Sequence, residues 1–160
     1  MLEPMVDWVT RLGLEPHPEG GWFRRIYTSP QSMATANGQR PLATSIYYLL
    51  TREQPRNRLH ANRSDILHFL IDGGPVDYLY VAPGEELRRQ RLAGDGARHL
   101  LVPGNHWKTS QLADGATHAL IAELVTPGFD FADHRFATRA DLLRDCRAYA
   151  DELAAFVPAS

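Results

Sequence analysis

His60-Ala61-Asn62-Arg63-Ser64-Asp65-Ile66-Leu67-His68 joins two short runs, Arg58 to Ala61 and Ile66 to Ile71, that read as β-strands. Side chains alternate along a strand, so His60, Asn62 and His68, all evenly spaced, share one face if the chain stays extended, whereas a turn near Ser64 breaks that parity. Working outward, Trp22 to Thr28, Leu42 to Leu50, Val76 to Val81, Leu87 to Leu92, His99 to Val102, Trp107 to Gln111 and Thr117 to Val125 read the same way. Tight separators such as Asp72-Gly73-Gly74, Gly94-Asp95-Gly96 and Ala113-Asp114-Gly115 supply the positive φ angles that hairpins need. About eight or nine short strands at this spacing predict an all-β domain, a closed or sandwiched antiparallel barrel.

The ends differ. Met5, Trp8, Val9 and Leu12 recur at helical spacing and Gly13 follows as a stop, which predicts a short N-terminal helix. Near the other end Thr138 is an N-cap with Asp141 three residues on, and Leu142, Cys146, Tyr149, Ala150 and Leu153 form an apolar stripe. A helix over about 138–155 is expected to pack outside a barrel core of about 20–136, in one domain spanning 1–160. Ser29 to Arg40 reads as a long surface loop able to lid a pocket.

Composition narrows the function classes. A net charge of −2, from 17 basic and 19 acidic side chains, gives no footprint for nucleic acid or an anionic membrane. Arg88, Arg89 and Arg91 belong to a strand with a solvated face. The single cysteine, Cys146, cannot form an internal disulfide, so a reducing compartment, the cytoplasm, is the expectation. No leader-like run or membrane-spanning apolar stretch is expected, and neither a phosphate-binding glycine loop nor a dinucleotide fingerprint occurs.

The motifs together resemble a known family, the cupin-superfamily-5 proteins, small bacterial and fungal cupins that share a domain of unknown function. The resemblance rests on Leu14-Glu15-Pro16-His17-Pro18-Glu19-Gly20-Gly21-Trp22, on Thr44 to Leu50, on the His60 to His68 segment, on Val102 to Trp107, and on Pro127-Gly128-Phe129-Asp130-Phe131. It implies a double-stranded β-helix, the cupin jelly roll, paired into a homodimer with a small-molecule pocket in the barrel mouth. A structural likeness to sugar epimerases and ketoisomerases is an analogy of fold. Metal-binding cupins supply His-x-His, a Glu and a closing His. Here His60 matches the first position, Asn62 stands at the second, Asp65 and Ile66 occupy the Glu region, and Lys108 replaces the closing His, so that set is incomplete.

The candidate catalytic residues are His60, His68 and Glu123. An imidazole pair facing a barrel interior can shuttle a proton near neutral pH. Glu123, inside the apolar run Ala119 to Val125, needs a partner: either an imidazole in a pocket or an Arg at a strand edge. Asn62, Tyr47, Trp107, Lys108 and Glu19 are candidate pocket-lining residues, one of each adjacent Tyr pair facing inward. The Pro-His-Pro-Glu-Gly-Gly-Trp segment reads as a tight plug that places His17 structurally, while Asp130, Asp133 and His134 read as a structural turn. Three functions fit: an isomerase- or epimerase-like acid–base enzyme, a non-catalytic binder of a small metabolite, and a metal-dependent enzyme using His60, His68 and Glu123 or Asn62 with a divalent ion.

Overall fold

A computed structural model describes residues 6–159, so Met5 of the expected N-terminal helix lies outside the described residues. The strands are β1 (Glu15–Pro16), β2 (Trp22–Thr28), β3 (Ser32–Thr35), β4 (Gly38–Pro41), β5 (Thr44–Thr51), β6 (His60–Asn62), β7 (Asp65–Gly73), β8 (Val76–Val81), β9 (Arg88–Leu92), β10 (His99–Val102), β11 (Trp107–Leu112), β12 (His118–Thr126) and β13 (His134–Phe136). The α-helices are α1 (Trp8–Leu12), α2 (Arg139–Asp145) and α3 (Ala150–Leu153). A six-stranded sheet has the order β1-β2-β5-β12-β7-β10, a five-stranded sheet the order β13-β6-β11-β8-β9, and β3 pairs with β4 in a separate hairpin. Every pairing is antiparallel.

Three apolar clusters follow from strand alternation. Tyr48, Leu50, Leu70, Leu100 and Ile121 from the larger sheet pack with Val76, Tyr78, Leu92 and Leu112 from the smaller one, which makes the two sheets the walls of one jelly-roll barrel. The outer face of the smaller sheet, with Leu59, Val81 and Trp107, is covered by Leu142, Cys146, Leu153 and Phe156. Trp8, Val9 and Leu12 of α1 cover Leu49 and Leu120 on the outside of the larger sheet. Each such fully buried aliphatic side chain is worth about 1.5–3 kcal/mol relative to exposure. Among the described residues, no helix is long and apolar enough to cross a membrane.

Local chemistry sets the helix ends. Asp7 accepts from the Thr10 amide, Gly13 closes α1 at φ 63°, and Thr138 and Asp141 form a reciprocal capping box. The expected helix over 138–155 is broken instead: α2 ends at Asp145, and 3₁₀ turns over Arg147–Tyr149 and Ala154–Phe156 flank α3. The break lets the apolar stripe follow the curved barrel wall, with Cys146 buried at the α2 C-cap.

The expected loop at 29–40 is mostly the β3–β4 hairpin. Arg40, at its base, donates from Nε and Nη2 to both oxygens of Asp133 (2.7 and 3.1 Å), and Asn37 adds a bond at 3.0 Å. This buried pair ties the hairpin to the 3₁₀ turn Phe131–Asp133, immediately before β13. Asp130 and Asp133 are therefore structural, as a turn of this composition predicts.

Candidate functional site

The barrel interior is organised in two facing rows. On the larger sheet, Arg25 pairs with Ile46, Ile46 with Glu123, Glu123 with His68, and His68 with Leu100, strand by strand. On the smaller sheet, Tyr80 pairs with Lys108, Lys108 with His60, and His60 with Phe136. The chain does turn at Arg63-Ser64, where the Ser64 amide donates to Asn62 Oδ1 at 2.8 Å. Thus His60 and Asn62 lie on one sheet and His68 on the other, and both sets face inward because the sheets face each other.

The barrel mouth opens into a cavity of about 450 Å³. Its walls are largely apolar, formed by Phe23, Ile46, Ile66, Val125, Phe129 and Phe131, with Arg25 and Asp130 also contributing. Its polar lining is Glu19, His17, His60, Asn62, Lys108, Glu123 and His134. The Phe129 amide donates to Thr44 Oγ1 at 2.9 Å, which anchors the Pro127-Gly128-Phe129 segment against the cavity wall.

Glu19 reaches the interior because of the two glycines that follow it. Gly20 (φ 101°) and Gly21 (φ 76°) hold left-handed conformations, and Tyr48 donates its hydroxyl proton to Gly20 O at 2.5 Å. The Arg58 amide also donates to Glu19 O at 2.6 Å. Inside, Glu19 Oε2 stands 3.2 Å from His60 Nε2, 3.6 Å from His134 Nε2 and 3.9 Å from His17 Nδ1. Burial pushes the Glu19 carboxyl up, but His60, His134, His17 and Lys108 outweigh it and hold the group well below the usual carboxylate range. His60 is driven the other way: burial lowers its imidazole to about 4 despite the opposing Glu19 charge.

Glu123 lies in a different setting. Its Oε1 is 3.8 Å from His68 Nε2, beyond hydrogen-bond range, and its side chain is almost wholly buried. Burial raises its carboxyl to about 7, with Lys108 pulling it down and Glu19 pushing it up. His68 sits behind the cavity lining: its Nδ1 is 3.2 Å from Leu100 O and its Nε2 is 2.8 Å from Lys108 Nζ. Since the ammonium can only donate, Nε2 accepts and Nδ1 carries the proton. Burial, then Lys108, depresses the His68 imidazole well below its usual range. His68 is thereby a neutral bracket for Lys108 and has no nitrogen free to shuttle a proton.

Two candidate lining residues lie elsewhere. Trp107 immediately precedes the inward Lys108, so alternation turns it outward into the cluster beneath α2, where Nε1 donates to Asp145 Oδ2 at 3.0 Å. Tyr47 faces outward toward α1, whereas its neighbour Tyr48 takes the inner position. His17 both lines the cavity and is structural: its Nδ1 accepts the Glu19 amide at 3.1 Å, and its ring packs edge-on against Phe23 and Tyr48. His134, expected in a structural turn, lies instead in β13, paired with Asn62. The alternation His134-Arg135-Phe136 was its one local signal, in a strand of three residues.

The ligand set of metal-binding cupins is not assembled. Lys108 occupies the closing position with its ammonium on His68, and Asn62 spends Oδ1 on the Ser64 amide while its Nδ2 is buried without a partner. The groups that do converge are Glu19, His60 and His134, whose ligating atoms lie within 4.8 Å of one another.

A family model described as Cupin superfamily (DUF985) matches residues 6–137. The Saccharomyces cerevisiae protein YML079W, itself described as uncharacterised, is 34% identical, with 86% of this chain and 75% of the yeast protein covered. The crystal structure of protein SO0799 from Shewanella oneidensis superposes with a TM-score of 0.85 at 25% identity, covering 96% of this chain and 97% of that one. A hypothetical protein from Leishmania major gives a TM-score of 0.81 at 28% identity over 93% and 94% of the two chains.

Proposed function

For a chain that belongs to the DUF985 family of the cupin superfamily, we propose that the barrel mouth binds a small, oxygen-rich, carbohydrate-like molecule and moves a proton on it, as an isomerase or epimerase does. The observation that carries this is Glu123, a carboxyl in an apolar-walled cavity of about 450 Å³, poised near neutrality by burial. A base matched to the working pH transfers protons most effectively, and Lys108 beside it stabilises the oxyanion that forms when a C–H next to a carbonyl is deprotonated. The buried Asn62 amide, whose Nδ2 lacks a partner, supplies a donor for a substrate oxygen. His68 positions Lys108, and His60 belongs to the opposite, Glu19-facing end of the polar lining.

The test is deuterium wash-in from D2O, followed by proton NMR, across a panel of small aldo- and keto-sugars. Exchange beside the carbonyl is expected with the wild type and is expected to fall about 10²–10⁴-fold in Glu123→Gln. Saturable binding of a panel member without exchange would instead support the metabolite-binding alternative.

The outer face of the larger sheet exposes Phe69, Ile71 and Leu101, an apolar row that supports pairing of two copies into a homodimer. Sedimentation equilibrium checks this: Phe69→Glu is expected to shift a dimer to monomer, and a monomeric wild type overturns it.

A further inference from the structure

Proton transfer by Glu123 leaves the Glu19 end of the cavity without a task. His60 Nδ1 is 2.7 Å from the Arg58 carbonyl oxygen, so Nδ1 bears a proton, and Nε2, an acceptor on the imidazole, faces Glu19 Oε2 at 3.2 Å. Two acceptors at that distance require something positive between them. A proton shared by Glu19 and His60 meets that need but leaves His134 Nε2, which is buried without a hydrogen-bond partner and 3.6 Å from the same oxygen. An ion satisfies all three. Ligands held about 2.0–2.2 Å from a tetrahedral centre are about 3.3–3.6 Å apart, close to the two spacings observed.

We propose that Glu19, His60 and His134 form a binding site for one divalent first-row transition ion of the Zn²⁺ or Fe²⁺ class. Two imidazoles and one carboxylate suit such ions better than Mg²⁺ or Ca²⁺, which favour oxygen donors. The Arg58 carbonyl holds His60 as the outer partner of a metal-ligating imidazole does, fixing tautomer and ring orientation. The neighbouring groups are otherwise engaged: His17 Nδ1 takes the Glu19 amide, Lys108 Nζ lies on His68, and both His68 nitrogens are occupied. The site is therefore distinct from a set built on His68 and Glu123. It draws on three segments distant in sequence, and its remaining coordination positions face the cavity, open to a substrate oxygen. Glu123 is outside the ligand set, so ion binding and proton transfer can fail separately.

Chelator-stripped wild-type protein is titrated with Zn²⁺ by calorimetry, and the loaded protein is measured by X-ray absorption at the zinc edge. One ion per chain is expected, with a shell containing two imidazole nitrogens and a carboxylate oxygen. Glu19→Gln and His134→Ala are each expected to weaken binding at least about tenfold, with Glu123→Gln within about threefold of wild type. No binding by the wild type, a shell lacking imidazole, or equal loss in Glu123→Gln and Glu19→Gln overturns the site. Should the ligand variants fail to fold, the wild-type absorption shell decides alone.

Discussion

Lys108 Nζ donates to His68 Nε2 at 2.8 Å, and this bond spans the barrel from the smaller sheet to the larger. It fixes a buried cation within electrostatic reach of Glu123, whose carboxyl it pulls down against burial. Removing it has two separable consequences. Lys108→Met leaves His68 Nε2 buried without a donor, a loss of about 1–3 kcal/mol measurable by denaturant unfolding. It also raises the Glu123 pKa, so the inflection of any Glu123-dependent rate moves upward from about 7. An unmoved inflection would break the link between the two residues.

Glu123 makes stability pH-dependent with a definite sign. Its carboxyl titrates near 7 in the fold against 4.5 unfolded, so between these values the native state holds more protons. The fold therefore loses stability as pH rises from about 4.5 through 7, by about 3 kcal/mol from this group. Glu123→Gln removes that slope. Its melting temperature relative to wild type is expected to be higher at pH 8 than at pH 5, and a difference that does not vary with pH refutes the shifted carboxyl.

The Gly20-Gly21 pair allows Glu19 to enter the barrel. A Cβ at Gly21 would lie 2.7 Å from both Leu49 O and the Tyr48 hydroxyl, in addition to the strain of a positive φ. Gly21→Ala is expected to cost at least about 1–3 kcal/mol by thermal or chemical unfolding. Where the variant remains folded, Glu19-dependent ion binding weakens as well.

Trp107 provides the opposite case, a large aromatic one residue from the cavity that takes no part in it. Trp107→Phe loses the bond to Asp145 and some packing beneath α2, about 1–2 kcal/mol in a denaturant titration. Affinity for whatever fills the barrel mouth is expected to stay within about twofold. A larger change would mean that the outer cluster and the cavity are coupled.

The strands were legible because alternation and turn residues are local signals. Trp22–Thr28, Val76–Val81 and His99–Val102 have the expected bounds, and several others differ by a residue or two. Short elements escaped: β3 and β4 have four residues each and β13 has three, too few for a period to show. The C-terminal apolar stripe was visible, but its break at Cys146 was not, because the curvature of the surface it covers is no property of the stripe.

The sequence by itself determined the β-architecture, the family resemblance and the presence of polar residues, Glu19, His60, Asn62, Lys108 and Glu123, in strands or turns that line an interior. Strand alternation and turn chemistry act over two to four residues, so they can be read along the chain. Only the tertiary structure decided which of these groups meet. It set Lys108 on His68, turned Trp107 and Tyr47 away, and brought His134 to Glu19, 115 positions earlier in the chain, and to His60, 74 positions earlier. Barrel closure and sheet pairing set these distances, and with them the burial and neighbouring charge that place Glu123 near neutrality and hold Glu19 ionised.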